Sequence, residues 1–387
     1  MAAWQVPLAD VTISEEDIAA VAETLRSGWL SMGPRTEEFE AELARYTGAR
    51  HAIAATNGTA ALHLICLAAG LGPGDEVIVP SMTFVATVNA IAYTGATPVF
   101  AEIASLTEPW LSPDAARAAI TPATKAIMTV AYGGHPGATR ELAALAQEHD
   151  LTLLEDAAHA IGSRQGGRQL GTFGAAGAYS FFSNKNLAVG EGGAVTTDDD
   201  ELAARMRLLR SHGMTTLTWD RHRGHASGYD VVALGFNYRI DEPRATLALC
   251  RLERLDQENR RRHELDLRYR AALGDLAGVT PTQAPPGEEG DTPAHHLFTV
   301  VLDAGIDRDA VRAALAEARV QTSLHYPPVH RFSTYAATAP ELPLTDEYGA
   351  HAMTLPMFTG MTDAQQDLVV GALSDALAAA PRAAAAS

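Results

Sequence analysis

The sequence predicts an α/β fold, with a mostly parallel central sheet in a large first domain, residues 1–245, and a smaller α+β domain over residues 246–387. Three observations lead there. From Thr56 to about Thr197 short apolar runs alternate with helix-like stretches, as the strand–helix–strand units of a parallel sheet do. A charged helical segment rich in Arg and Glu, 244–270, then interrupts the alternation. The chain has 387 residues, 47% of them hydrophobic, enough to bury one large core and a smaller second one.

The apolar runs predict strands over 76–80, 97–101, 126–131, 151–155, 178–182 and 193–196, because each is short and rich in β-branched or small apolar residues. Between or after them, helical spacing predicts helices over 60–69, 84–93, 140–149 and 201–210. In the 244–270 segment the apolar positions Leu247, Leu249, Leu252 and Leu255 sit among charges, as expected of a helix connecting two domains. Pro, Gly, Glu and Asp crowd residues 281–293, which predicts an exposed loop. A strand over 296–302 and a helix over 307–317 follow, and the Ala-rich tail 378–387 reads as frayed.

Composition excludes several function classes. The formal net charge is -18, which opposes binding to nucleic acid or to anionic membrane. No apolar run approaches the length that spans a bilayer, and no targeting segment is legible at the start. Only two cysteines occur, Cys66 and Cys250, both in apolar surroundings. Neither a disulfide framework nor a thiolate metal site is expected, and a reducing cytoplasm fits best. Of the 29 basic residues only Lys125 and Lys185 are lysines, so lysine is not surface filler here. Lys125 opens a strand-like run, whereas Lys185 lies in a Gly-rich stretch of low charge and calls for a reason.

In open parallel sheets ligands gather at the carboxyl ends of strands. That rule directs attention to Asp156 and to the segment from Ser180 to Lys185. Asp156 stands in Leu153-Leu154-Glu155-Asp156-Ala157-Ala158-His159, where strand alternation puts Glu155 and Asp156 on opposite faces and gives them different tasks. An Asp at that position can hold a heterocyclic nitrogen in its cationic form; a helix cap or a salt-bridged Asp is the alternative. His159 serves the same site or is a hydrogen-bonded core histidine. Lys185, in Tyr179-Ser180-Phe181-Phe182-Ser183-Asn184-Lys185, has the primary amine that condenses with an aldehyde, and desolvation makes such an amine easier to deprotonate. Ser180 offers a hydroxyl to a phosphate. Thr56-Asn57-Gly58-Thr59 opens an apolar helix whose free N–H groups favour an anion by roughly 0.3 to 1 kcal/mol; an ordinary N-cap by Asn57 or Thr59 is the alternative. Phe84 is placed to stack on a ring or to fill a core. Asn237 or Arg239, in Gly235-Phe236-Asn237-Tyr238-Arg239, offers a polar contact to an anion or begins a helix.

Taken together, these segments resemble the DegT family of sugar aminotransferases, among the fold type I enzymes that use pyridoxal 5'-phosphate (PLP). The resemblance covers about Gly28 to Phe358 and also rests on Gly28-Trp29 with Gly33-Pro34, Gly190-Glu191-Gly192-Gly193 and His325-Tyr326-Pro327-Pro328. It implies that Lys185 carries the cofactor as a Schiff base, that Asp156 pairs with the pyridine nitrogen and that Phe84 stacks on the ring. Gly58, Thr59 and Ser180 would hold the phosphate, with Asn237 reaching it from the neighbouring subunit of a homodimer. His159 occupies a position where the family often has glutamine, near the cofactor ring or its hydroxyl. His325 and Tyr326 would lie near the substrate, and no metal is implied. A branch of the family that removes a hydroxyl has histidine in place of the lysine, and Lys185 argues against it. The implied reaction moves an amino group from L-glutamate to a nucleotide-linked keto sugar, first of all a dTDP-4-keto-6-deoxyhexose. Two alternatives stand beside it: a keto-cyclitol aminotransferase, which would ignore the nucleotide, and a PLP-containing regulatory protein without turnover.

Overall fold

The computed structural model describes residues 4–216, 219, 224, 228–283 and 289–380. Two helices come first, α1 (Glu15–Ser27) and α2 (Pro34–Thr47), followed by β1 (His51–Ala55) and α3 (Gly58–Ala68). The alternation continues through β2 (Glu76–Pro80), α4 (Val85–Ala92), β3 (Thr97–Ala101), α5 (Pro113–Ala118), β4 (Thr124–Val130), α6 (Thr139–Glu148) and β5 (Thr152–Asp156). A two-residue hairpin, β6 (Arg164–Gln165) and β7 (Arg168–Gln169), precedes β8 (Ala176–Ser180), β9 (Gly193–Thr197) and α7 (Asp200–Arg210). The helix expected over 244–270 is α8 (Glu242–Leu273), with Asp241 capping its first turn through Arg244 N and Pro243 in that turn.

Seven strands form the main sheet in the order β1-β9-β8-β5-β4-β2-β3. Strands β8, β5, β4, β2 and β3 run parallel, while β9 is antiparallel to both of its neighbours. Helices cover both faces. Leu62, Ile65, Val88, Ile91 and Met206 pack beneath Val77, Val79 and Val195 on one side. On the other, Phe39 and Leu43 of α2 and Leu252 and Leu255 of α8 pack with Tyr179 and Phe181. Burial of this order is what holds such a sheet, at about 25 cal/mol per Å² of apolar surface.

Beyond α8, β10 (Val279–Pro281), β11 (Phe298–Leu302), α9 (Arg308–Glu317), α10 (Pro343–His351), β12 (Ala352–Leu355) and α11 (Asp363–Ala379) build the second unit. Its three-stranded antiparallel sheet has β11 in the middle. Its core joins Leu265, Tyr269 and Leu273 of α8 to Phe298, Val300, Leu315, Leu355 and Leu373, and it also takes in Val6 from the start of the chain. Val6 forms a parallel bridge with Val320.

Most predicted elements lie within two residues of those observed. The strand expected over 178–182 is β8, shifted to Ala176–Ser180, because its register is fixed by Leu154↔Ala176 on one side and Ser180↔Gly193 on the other. Ser180 thereby ends the strand instead of sitting inside it. The strand expected from His296 begins at Phe298. Of the loop expected over 281–293, Pro281 belongs to β10 and residues 284–288 lie outside the described residues; so do 381–387 of the tail.

Candidate active site

A cavity of about 500 Å³ opens at the carboxyl ends of the parallel strands, where Val130 ends β4, Asp156 ends β5 and Ser180 ends β8. Gly58, Thr59, Phe84, Asp156, His159, Ser180, Lys185, His325 and Tyr326 all line it. Asn237 does not: it is exposed, and its backbone is bridged to that of the buried Ser211.

One end of the cavity is shaped for a compact anion. Asn57 caps α3 by accepting the Ala60 N–H at 2.8 Å, and so does not take the N–H groups of Gly58 and Thr59 at the mouth of the helix. A Cβ on Gly58 would lie 2.7 Å from Ser180 Cβ, and one on Gly193 would lie 2.6 Å from the Asn57 carbonyl. Only glycine permits this approach of the helix start to the ends of β8 and β9. The result gathers a helix N-terminus and the hydroxyls of Thr59 and Ser180 in one cup, which is the donor set a phosphate requires.

At the centre, Asp156 is buried and accepts hydrogen bonds from Thr87 Oγ1 at 2.6 Å and from the Ala158 N–H at 3.0 Å. Thr83 lies 2.6 Å from Thr87 and completes the chain. Burial raises the Asp156 pKa, while Thr87, the Ala158 N–H and the charge of Lys185 oppose the rise. Such a carboxylate gains most from a cation delivered against it. Glu155 faces the other way, as alternation predicts, and accepts the N–H groups of Gly171 and Gly174, each at 2.7 Å. It braces the loop ahead of β8.

Lys185 sits on the turn that follows β8, its N–H bonded to the Phe182 carbonyl at 2.8 Å. The turn is anchored by Asn186, whose Nδ2 donates to Asn259 Oδ1 and to the Ala294 carbonyl, both at 2.8 Å. Burial pulls the Lys185 amine down to about 7 against the attraction of Asp156. Near neutral pH a large share of it is therefore unprotonated, able to attack a carbonyl and to accept a proton.

The far wall holds Phe84, half of whose ring is exposed, with its centroid 5.6 Å from that of Tyr326. Tyr326 Oη lies 3.0 Å from His159 Nε2, and His325 Nδ1 lies 2.8 Å from Thr354 Oγ1. Burial lowers the His159 pKa well below its usual value, and the neighbouring Lys185 and His325 act in the same direction. His325 is pushed down to about 4, mainly by burial. Two lining residues, Asn184 and Glu191, and one buried behind the lining, Thr87, carry no functional signal in the sequence. Thr87 is one turn beyond Phe84 on α4, but its link to Asp156 joins residues 69 positions apart and has no local signal. Asn184 carries a buried Oδ1 without a protein partner, and Glu191 closes the rim near Ser180. Among the described residues no His, Cys, Asp and Glu cluster is arranged to hold a metal ion, and no helix is long and apolar enough to cross a membrane.

The profile of the DegT/DnrJ/EryC1/StrS aminotransferase family matches residues 11–374. The spore coat polysaccharide biosynthesis protein SpsC of Bacillus subtilis (strain 168) is 41% identical over 373 residues, which cover 94% of this chain and 95% of SpsC. DesV of S. venezuelae, solved in complex with a ketimine intermediate, superimposes with a TM-score of 0.89 at 37% identity, over 97% of this chain and 99% of DesV. DesI, solved in the presence of its TDP-sugar product, gives a TM-score of 0.86 at 34% identity, over 97% of this chain and 93% of DesI.

Proposed function

Since the chain belongs to the DegT/DnrJ/EryC1/StrS aminotransferase family and is a PLP-dependent sugar aminotransferase of the fold type I architecture, we propose that it moves an amino group from L-glutamate to a nucleotide-linked keto sugar. A dTDP-4-keto-6-deoxyhexose is the acceptor we favour, on the likeness to DesI and its TDP-sugar product. The observation that carries the reading is the pairing of Lys185 with Asp156 in one cavity whose far end is a phosphate-sized cup.

The residues present fit the cofactor. Gly58, Thr59 and Ser180 would take its phosphate, Asp156 its ring nitrogen, Phe84 its ring face and Lys185 its aldehyde carbon. When bound, PLP supplies the electron sink that lets a proton leave the carbon bearing the donor's amine. Asp156, whose anionic form is favoured by Thr87 and the Ala158 N–H, would hold the ring nitrogen protonated and so maintain that sink. Lys185, whose buried amine is held at about 7, would accept the proton from the donor carbon and give it back to complete the transfer. Phe84 and Tyr326 narrow the entrance and limit the access of water.

A homodimer belongs to the same reading. Asn237 would complete the cup of a neighbouring subunit, and the stretch that leads to it exposes Tyr229, Val231, Val232 and Leu234, the last 94% exposed. An apolar patch of this kind beside a polar anchor is what an interface between copies presents. A cytoplasmic setting is part of the same proposal, since the acceptor it names is a sugar nucleotide.

The test combines three measurements on the purified protein. Borohydride reduction and peptide mapping should give a pyridoxyl adduct on Lys185. L-glutamate should shift the cofactor spectrum and yield 2-oxoglutarate, and the dTDP-keto sugar should then restore the first spectrum while a keto cyclitol should not. Absence of the Lys185 adduct from PLP-loaded protein overturns the central assignment. Restoration by the cyclitol alone would replace the acceptor, and an adduct that ignores glutamate would point to another donor or to a regulatory role.

A further inference from the structure

His159 and Tyr326 form a pair whose proton positions can be derived. His159 Nδ1 accepts the backbone N–H of Gly133 at 3.2 Å. A neutral imidazole carries one proton, so with Nδ1 accepting, that proton resides on Nε2. Nε2 lies 3.0 Å from Tyr326 Oη, and the N–H must therefore donate to the phenolic oxygen. The Tyr326 O–H cannot point back at a nitrogen that already bears hydrogen. Its own proton is left to donate elsewhere, and the hydroxyl belongs to a side chain that lines the cavity between Phe84 and His159.

The device is held from behind. Gly133 has a φ of +65°, and a Cβ there would meet the Gln283 side chain at 2.0 Å, so the N–H that fixes His159 comes from a position reserved for glycine. Its carbonyl accepts the His296 N–H at 2.8 Å, and the His296 ring packs against His159 with centroids 4.4 Å apart. Neither nitrogen of His159 is left for a bound molecule.

We propose that Tyr326, positioned by a His159 whose two nitrogens are both engaged within the protein, is the hydrogen-bond donor this cavity presents to an electron-rich oxygen of what it holds. The assignment rests on the PLP reading of the site and not on the identity of the sugar. Two bound oxygens have the required chemistry, the ring oxygen of the cofactor and the ketone oxygen of the acceptor. His159 is then a positioning residue that acts through Tyr326.

The PLP-loaded full-length protein and its Tyr326→Phe, His159→Leu and His159→Gln variants distinguish the two, after circular dichroism has shown that each is folded. The first readout is the pH midpoint of the visible absorbance without substrates. A donor to the ring oxygen draws negative charge away from the neighbouring imine proton, so removing the donor raises the midpoint. Tyr326→Phe should raise it by about one unit, tenfold in the acid constant. His159→Leu should move it in the same direction, and His159→Gln, which can accept from Gly133 and donate to Tyr326, should stay near the wild type. If the ketone oxygen is the acceptor, the midpoint stays fixed and kcat/KM for the sugar falls about 10-fold to 100-fold in Tyr326→Phe, with KM for glutamate unchanged. The spectral arm needs no sugar, so an error in the acceptor's identity leaves it readable. A Tyr326→Phe variant with wild-type midpoint and wild-type sugar kinetics overturns the proposal.

Discussion

Replacing Lys185 by Met in the cofactor-free protein should change how stability depends on pH. In the folded chain burial holds the amine at about 7 against an ordinary 10.5. Between those values the unfolded chain binds a proton that the folded chain does not, so the stability of the wild type rises with pH across this window. Below pH 7 both states are protonated and the penalty for burying the charge is fully present; above 10.5 both are neutral and it is gone. Met retains the bulk of the side chain and lacks the titration. The wild type should therefore gain on Lys185→Met by about 1.4 kcal/mol per pH unit once the folded amine is mostly unprotonated, or roughly 2.3 kcal/mol between pH 7 and 9. Urea unfolding of both proteins at pH 7, 8 and 9, at one fixed concentration, measures this difference of differences, and contributions shared by the two proteins cancel. Curves that run parallel over the window would show that the Lys185 amine is not depressed, and with it would fall the argument that the free amine is ready to react at neutral pH.

Four further outcomes follow from the geometry. Asp156→Asn removes the anion proposed to face the cofactor's ring nitrogen, and transamination should fall by about 10²-fold or more in a coupled 2-oxoglutarate assay. Thr87→Val takes away the 2.6 Å bond to Asp156; loss of a hydrogen bond to a charged group is worth about 1.5 to 3 kcal/mol, so kcat should drop about 10-fold or more while the far-UV spectrum stays unchanged. Gly58→Ala drives a Cβ to 2.7 Å from Ser180 Cβ, and overpacking of about 1 to 3 kcal/mol should appear as weakened PLP binding in equilibrium dialysis. Asp266 is buried, which pushes its carboxyl up, but His295 and Arg270 hold it down to about 2. Its contribution to stability is complete above about pH 5 and should be lost as pH falls from there to about 2, to the extent of roughly 2 kcal/mol. Acid unfolding of Asp266→Asn should lack that component.

The sequence disclosed the elements whose cause is local. Glu76–Pro80 and Thr97–Ala101 are apolar runs closed by turns, and they appear as strands with those bounds. β1, His51-Ala52-Ile53-Ala54-Ala55, suits a helix as well as a strand; its pairing with β9, residue for residue from His51↔Thr197 to Ala55↔Gly193, decides the matter from 140 positions away. The site divides in the same way. Lys185 and Asp156 were legible because scarcity of lysine and the strand-end rule mark them, and the family resemblance joined them. Thr87, the Gly133–His159 bond and the unpartnered Asn184 depend on neighbours far along the chain and leave no pattern in the residues beside them.

The long helix α8 has a consequence for motion. Its 32 residues extend about 48 Å at the usual helical rise. Leu252 and Leu255 are set in the core under the large sheet, while Leu265, Tyr269 and Leu273 are set in the core of the second unit. Past Pro243 in the first turn, no proline or glycine interrupts it before Gly274. A sharp swing of one unit against the other would have to kink this rod or tear one of its ends out of a core, and the residues that most often make a kink are missing from its middle. A rod fixed in both cores ties the orientation of the three-stranded sheet to that of the large one, so a strain applied at one core is carried along α8 to the other.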